Sequence, residues 1–324
     1  MIGHFVSCAV AVGLVAVFIS YPQPPLSSRL EQWKQLGEFL SVGKRKIFFV
    51  DEKGQGSSGP VVCLHGFPTS SYDWIKILPD MKSQFSRVIM LDFLGYGFSD
   101  KPEDHTYTIA EQAEIVETLL EKLSVPSAHV LSHDYGDTVA LELLARSNSK
   151  KLSFVMQSLT MLNGGVFPET HRPRISQKLL LTPGLGYVVS RLFSLPIFSR
   201  GFGEVFGASK PTNEDYADFW AALRYNDGDR AAYRIINFLR ERQEFKGRWV
   251  GALQSTDLSV LMLYGPADPV NPPSFAAHFR KVVPRHKLVT LADSVGHYPQ
   301  WEDPETVGRE FLKFIQSLET QTRS

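Results

Sequence analysis

The chain has 324 residues, 43% of them hydrophobic, and it carries 34 basic and 34 acidic residues. This length and composition fit one large α/β domain with an insertion. The balanced charge gives no indication of a nucleic acid or another acidic polymer as partner. Two cysteines, Cys8 and Cys63, are too few for a metal cluster, and we expect neither a metal nor a cofactor.

An uncharged apolar run from Phe5 to Ile19 lies near the start of the chain. It is short for a membrane span, which needs ~20 residues, and it also fits the core of a cleaved signal peptide. No Lys or Arg precedes it and no small-x-small cleavage site follows it. We therefore favour an uncleaved membrane anchor with a Pro-rich linker over residues 1–26. The basic residues that follow predict that the folded domain lies on the cytosolic side.

Leu30, Trp33 and Leu36 recur at helical spacing, which predicts a helix lying either on a membrane surface or on the domain. Short apolar runs then predict a core of strands over residues 37–162 and 251–324, with an amphipathic helix at Thr108 to Leu123. The predicted strands are a hairpin at 38–50 and runs at 60–64, 87–91, 128–131, 154–162, 259–263 and 287–291.

The strand at 60–64 ends in His65, Gly66, Phe67 and Pro68. A glycine directly after a buried strand lets the backbone turn sharply and leaves a backbone amide free. We predict that the Phe67 amide points into a site, with His65, Gly66 and Pro68 supporting the loop.

The stretch Ser132-His133-Asp134-Tyr135-Gly136 joins a predicted buried strand to a predicted helix. This arrangement is the nucleophile elbow of α/β hydrolases, where the usual pattern is G-x-S-x-G and Asp134 takes the place of the serine. In that fold the amide after the nucleophile and one from the first loop hold an oxyanion, here Tyr135 and Phe67. A polar loop that happens to contain an Asp is the alternative interpretation.

Strand patterns vanish from residue 163 to 250, where Pro, Gly and aromatic residues are frequent. We predict a helical cap over 163–250, with helices such as 214–224 and 230–242. A solvated helix face is expected for the basic run Arg240, Arg242, Lys246 and Arg248.

Two further polar residues follow predicted strands. Asp268 comes after the strand at 259–263, and His297 comes after the last strand. The chain order Asp134, Asp268, His297 is the nucleophile–acid–histidine order of α/β hydrolases. We therefore predict these three residues as the catalytic set.

Residues 37 to 318 resemble the epoxide hydrolase and haloalkane dehalogenase branch of the α/β-hydrolase superfamily, in the motifs at 65–68 and 133–136, at Asp268 and at 296–297. The resemblance implies a mostly parallel central sheet with helices on both faces and an inserted helical cap. A closer likeness to one vertebrate group, at 65–74, 132–137, 167–173 and 265–272, implies the endoplasmic reticulum membrane and a hydrolase without an established substrate.

A carboxylate nucleophile suits attack on an sp³ carbon and gives an alkyl ester, which His297, oriented by Asp268, would hydrolyse with water. We expect a small lipophilic substrate such as an epoxide. The family resemblance implies two cap tyrosines as proton donors, for which Tyr216 and Tyr233 are the candidates. The alternatives are a non-catalytic membrane scaffold, a lipid esterase or a dehalogenase; no protein partner is predicted.

Overall fold

The structure, a computed structural model, describes residues 22–323 together with Gly13. Eight strands of this part form one sheet: β1 (Gly37–Val42), β2 (Arg45–Lys53), β3 (Val61–Leu64), β4 (Arg87–Leu91), β5 (Ser127–His133), β6 (Val155–Leu162), β7 (Val260–Tyr264) and β8 (Lys287–Thr290). Their order in the sheet is β1-β2-β4-β3-β5-β6-β7-β8. The pairs β1–β2 and β2–β4 are antiparallel and the others are parallel, so the sheet is mostly parallel, as the resemblance implies.

Helices cover both faces of the sheet, which is why every residue of β3 and of β7 is buried. The helices outside the cap are α1 (Ser28–Leu36), α2 (Leu78–Gln84), α3 (Ile109–Lys122), α4 (Tyr135–Asn148), α11 (Lys246–Ser255), α12 (Ser274–Val282), α13 (Pro299–Glu302) and α14 (Pro304–Arg323). One apolar core holds side chains of α3, α4, α11 and α12, and the other holds those of α1, α2 and α14.

The cap is inserted between β6 and β7 and consists of short helices: α5 (Ile175–Leu181), α6 (Leu185–Leu192), α7 (Leu195–Gly203), α8 (Asn213–Arg224), α9 (Asp229–Ile235) and α10 (Phe238–Glu244). The helix predicted over 230–242 is interrupted between α9 and α10. There the Asn237 side-chain amide donates to the Arg234 carbonyl (2.9 Å) and so competes with the helical backbone. The predicted boundary at residue 250 falls inside α11, which packs on α4 of the core.

The N-terminal helix α1 packs on the domain. Leu30 and Trp33 are buried and the Trp33 indole donates to Ser71 Oγ (3.2 Å), whereas Leu36 is exposed. The predicted anchor run, Phe5 to Ile19, lies outside the described residues. Within the described residues, no helix is both long and apolar enough to cross a membrane.

The turn from β5 to α4 places Asp134 at the carboxyl edge of the sheet. Asp134 has φ 46° and ψ −99°, which L-residues rarely adopt. This sharp turn brings Gly136 against β3, where an added Cβ would lie 2.1 Å from the Leu64 carbonyl oxygen. Only glycine fits there, because the clash would be with backbone and not with a movable side chain.

We therefore expect Gly136→Ala to lower the free energy of unfolding by about 2–3 kcal/mol or more, since it overpacks a fixed backbone contact. The matched control is Gly251→Ala in α11, where nothing lies within 4 Å of the added Cβ. The control should be neutral or stabilising by up to ~1 kcal/mol, since alanine is the better helix former. Urea denaturation measures both, and equal effects would contradict the close approach of α4 to β3.

Candidate active site

The elbow carboxylate of Asp134 is 3% exposed and is held from three sides. The Phe67 amide donates to Oδ2 (3.2 Å), and Arg242 Nη2 donates to Oδ1 (3.1 Å). His297 Nε2 lies 4.0 Å from Oδ1. The structure thus brings Asp134 and His297 together, as the sequence predicts.

Asp268 stands on the far side of His297. Its Oδ2 is 2.8 Å from His297 Nδ1 and also accepts from the side-chain amides of Asn163 (2.9 Å) and Asn271 (3.0 Å). The Val270 amide donates to Oδ1 (2.7 Å). Burial alone would raise the pKa of Asp268, but His297 and these donors outweigh it and lower the pKa. Asp268 therefore stays ionised and orients the imidazole.

The two carboxylates favour a protonated His297. Burial acts against its charge, but Asp268 and then Asp134 outweigh that effect and raise the pKa of His297 to about 8. At neutral pH the imidazole is mostly cationic and carries a proton that it can donate.

Arg242 is the partner of Asp134 that the sequence interpretation got wrong. Its guanidinium is 3% exposed, and besides Oδ1 it donates to the Asp134 carbonyl (2.8 Å) and, through Nε, to Thr138 Oγ1 (2.8 Å). It lies over the Phe238 ring at 4.6 Å. The predicted solvated face therefore fails at this position, because α10 turns Arg242 inward beside Phe238, one helical turn earlier.

The Arg242 cation decides the charge of the elbow. Burial favours a neutral Asp134, but Arg242, and after it His297, lower the pKa of Asp134 to about 2. The carboxylate is therefore ionised throughout the neutral range.

The first loop lies directly against the elbow, as predicted. A Cβ on Gly66 would meet His133 Nδ1 at 2.5 Å and Asp134 Cβ at 3.2 Å, so the loop approaches this closely only with glycine. His65 supports the loop: Nδ1 bonds to the Gly66 carbonyl (2.9 Å) and Nε2 accepts from the Phe93 amide (3.1 Å). Burial lowers the pKa of His65 to about 3, so it is neutral.

Of the two predicted oxyanion donors, the Phe67 amide donates to Asp134 Oδ2. Tyr135 is the first residue of α4, a position whose amide has no intrahelical acceptor. The Tyr135 amide stays a predicted donor.

Neither predicted cap proton donor lies beside Asp134. Tyr216 on α8 packs its ring on Phe202, and its hydroxyl lies close to Gly203. Tyr233 on α9 packs on Tyr187 at 5.6 Å, and its hydroxyl accepts from Arg234 Nε (2.8 Å). Both rings point toward other cap helices, because the packing of the cap and not helical spacing alone sets their direction.

A cleft with about 780 Å³ of empty space, part of it open to solvent, runs from this site into the cap. His297, Phe67 and Pro68 line it on the core side, and Asp134 lies directly behind them through the contacts above. Mostly apolar cap residues line the opposite side, among them Leu180, Phe198, Phe202, Val205 and Trp220. Neither Tyr216 nor Tyr233 is among the described residues that line the cleft.

The parallel sheet, the elbow and the polar residues at the strand ends define an α/β hydrolase. Residues 59–304 match the family model described as alpha/beta hydrolase fold. The chain is 46% identical over 315 residues to mesoderm-specific transcript homolog protein of Bos taurus, covering 95% of this chain and 94% of that protein. It belongs to the mesoderm-specific transcript group of the α/β-hydrolase family, which confirms the likeness inferred from its motifs.

Two other proteins are similar to this chain, one in sequence and one in fold. LipZ of Mycobacterium tuberculosis, named as a hydrolase, is 35% identical over 290 residues, covering 89% of this chain and 99% of LipZ. A crystal structure of a haloalkane dehalogenase, the DbeA-M1 loop variant from Bradyrhizobium elkanii, superposes with a TM-score of 0.74 at 23% identity, covering 89% of this chain and 98% of that one. The first supports a hydrolase, and the second shows the shared fold.

Three residues that contact the predicted catalytic set were missed by sequence reasoning: Arg242, Asn163 and Asn271. Asn163 directly follows β6, so the strand-end rule that found Asp134 and Asp268 could have found it. Arg242 is spaced four residues from the apolar Phe238, which was a signal for the buried side of α10.

We expect Arg242→Met to destabilise the protein by about 3–5 kcal/mol at pH 7, because it leaves the Asp134 carboxylate buried without its cation. Adding Asp134→Asn in the same chain should recover at least ~1 kcal/mol, since the neutral amide needs no counter-ion. Urea denaturation of the two single variants and the double variant measures this coupling. Simple additivity of the two effects would contradict the ion pair.

Proposed function

We propose that this protein hydrolyses a lipophilic epoxide through an alkyl ester of Asp134. The observation that carries the proposal is a buried, ionised carboxylate at the elbow, with the His297–Asp268 pair facing it across 4.0 Å. A carboxylate that attacks an acyl carbon gives a reactive mixed anhydride, whereas attack on an sp³ carbon gives a stable ester. An epoxide therefore suits Asp134 better than an ester substrate does.

The contacts of the carboxylate distinguish its two oxygens. Oδ1 lies between Arg242 and His297, and Oδ2 accepts from the Phe67 amide. We assign the attack to Oδ1, so that Oδ2 becomes the ester carbonyl oxygen. The amides of Phe67 and Tyr135 would then stabilise the oxyanion of the second step, where loss of one such donor costs roughly 10²–10³ in rate.

The epoxide oxygen needs a proton when its ring opens. Tyr216 and Tyr233 are turned away, so we assign the proton to cationic His297. As the C–Oδ1 bond forms and the epoxide C–O bond breaks, the oxygen takes the Nε2 proton and becomes a hydroxyl. Conversion of Asp134 to a neutral ester removes one of the charges that raised the pKa of His297, which favours this transfer.

Neutral His297 then acts as the base of the second step. It takes a proton from a water molecule whose oxygen attacks the Asp134 ester carbon. Collapse of the tetrahedral intermediate breaks the bond between that carbon and Oδ1, and the carboxyl proton passes to the departing diol oxygen. The cycle consumes one epoxide and one water and returns ionised Asp134 and cationic His297.

Arg242 has the second role in ring opening. Ester formation would leave its buried cation without the Asp134 charge, and its buried Nη1 has no hydrogen-bond partner among the described residues. Its N–H groups can therefore stabilise the negative charge that develops on the epoxide oxygen. This supports partial negative charge on the epoxide oxygen while His297 Nε2 transfers its proton to it.

Dehalogenation is the second candidate reaction, and the side chain that follows Asp134 makes it less favourable than epoxide hydrolysis. By the family resemblance, dehalogenases hold the halide with an indole N–H on the residue after the nucleophile. Here that residue is Tyr135, whose ring packs on Phe93 and Phe238. The apolar cleft supports a substrate-binding enzyme over a scaffold.

We also propose that the protein resides at the endoplasmic reticulum membrane with this domain on the cytosolic side. This proposal rests on the N-terminal sequence pattern.

One turnover in heavy-oxygen water tests the nucleophile. Water attacks the Asp134 ester carbon, so the heavy oxygen should appear in the Asp134 carboxylate, read by peptide mass spectrometry, after incubation of excess enzyme with lipid and aryl epoxides. Tyr216→Phe and Tyr233→Phe should incorporate label within about twofold of the native rate, because neither hydroxyl reaches the site. Heavy oxygen in the diol with none in Asp134 would indicate direct attack by water and sink the proposal.

The acid role of His297 predicts a pH dependence. Alkylation of Asp134 by an epoxide needs protonated His297, so its rate should fall as pH rises through about 8. Alkylation of Asp134 by an alkyl bromide needs no proton, and Asp134 is ionised above about pH 2. The rate of this alkylation should therefore not change with pH across the tested range. Single-turnover adduct formation from pH 6 to 10 measures both, with equal profiles contradicting the assignment.

The variant His297→Gln separates the two steps further. It should form a lasting bromide-derived ester, because alkylation needs no proton and the hydrolytic base is lost, but little ester with an epoxide. The double variant with Asp134→Ala should form neither. Epoxide adducts on His297→Gln at the native rate would assign the proton to another group.

A further inference from the structure

We propose that the outer face of cap helices α5, α6 and α7 docks on an anionic phospholipid bilayer. Seven of the eleven large hydrophobic side chains exposed in the described chain lie on these three short helices. They are Ile175, Leu179, Leu185, Tyr187, Val188, Leu192 and Ile197. Such a concentration of exposed apolar groups marks an interaction surface, because scattered exposure is the ordinary case.

The charge of the same segment identifies a negative partner. No Asp or Glu occurs between Glu169 and Glu204. Arg172, Lys178 and Arg200 are exposed within this interval. Arg240 is also exposed, and it reaches the end of α5, where its Nη2 donates to the Leu181 carbonyl (2.9 Å). Apolar side chains bordered by cations, with no acidic residue between them, fit a surface of anionic lipid headgroups over acyl chains.

A chain of buried charged side chains connects the start of the described chain to α6. The Pro22 carbonyl accepts from Arg224 Nη2 (3.5 Å), and Arg224 pairs with Asp229 (3.0 Å). Asp229 in turn pairs with Arg191 of α6 (2.6 Å). The first described residues therefore contact the same group of charged side chains as α6, the helix that carries four of the exposed apolar residues. We expect a bilayer that receives the apolar run Phe5 to Ile19 to lie near α6.

The inner sides of the three helices line the cleft. Leu180 of α5, Ser190 of α6 and Phe198 of α7 all contribute to it. A bilayer against their outer faces would therefore meet the cap next to the space that leads to His297. This arrangement would deliver an apolar molecule from lipid to the cleft without passage through water. The inference rests on the surface and not on the proposed reaction.

A fluorescent label that is quenched by brominated acyl chains tests the contact in the full-length protein. The label is attached at Leu192→Cys in a Cys8→Ser chain, where the remaining Cys63 is fully buried. The matched control is Phe39→Cys on β1, since Leu192 is 45% exposed and Phe39 is 47% exposed. With phosphatidylcholine–phosphatidylserine vesicles, we expect at least about twofold more quenching at 192 than at 39, because an interfacial helix enters the acyl boundary.

Two variants tie the quenching to the face. The triple variant Leu185→Ser, Val188→Ser, Ile197→Ser should lose most of the quenching at 192, whereas Val155→Ser, an exposed apolar site on β6, should keep it. Vesicles of phosphatidylcholine alone should quench less, since the cations then lack anionic headgroups.

Three results would overturn the proposal. The first is binding of the protein to vesicles with no quenching at 192, which would leave the N-terminal run as the sole contact. The second is protection of the 192 label from aqueous iodide without vesicles, which would assign the face to the chain's own N-terminal run. The third is equal quenching with and without the anionic lipid, which would remove the role of the cations.

Discussion

The backbone at Asp134 is the constraint on which the rest of the site depends. A non-glycine residue in this conformation stores roughly 1–3 kcal/mol, which the surrounding structure must offset. It is held because α4 closes on β3 at Gly136, the first loop closes on the elbow at Gly66, and Arg242 binds the Asp134 carbonyl. These contacts fix the direction of one carboxylate, and the approach of every other group follows from it.

Charge balance explains how four ionisable side chains can be buried next to one another. Asp134 and Asp268 are ionised, and His297 and Arg242 oppose them, so the buried set is close to neutral. A buried carboxylate without a partner would take up a proton and lose its nucleophilic form. This balance holds only while Asp134 is ionised. A reaction that neutralised Asp134 would leave an excess positive charge on Arg242 and His297, which would then attract negative charge on the substrate.

The core strands and the helical nature of the cap were predictable from sequence, whereas the directions of individual cap side chains were not. Strands such as β3 and β7 are continuous apolar runs that the sequence shows directly. Because the ends of parallel strands meet at one edge of the sheet, the sequence predicted that Asp134, Asp268 and His297 lie close together, and the structure has them in contact. Arg242 depends on how the cap docks on Asp134, 108 residues earlier in the chain, and Tyr233 depends on how α9 packs on Tyr187 of α6. Local periodicity places a side chain on a helix face, but the docked neighbour decides whether that face is buried.

Glu302 ties the cap to the histidine loop. One of its carboxylate oxygens accepts from the amides of Gly207 (2.8 Å) and Gly296 (2.9 Å), and the other accepts from the Tyr298 amide (3.1 Å). The cap connection and the two neighbours of His297 thus share a single anchoring group. A displacement of the cap at Gly207 would act on the carboxylate that also holds both neighbours of His297, so the direction of the imidazole depends on that part of the cap staying in place.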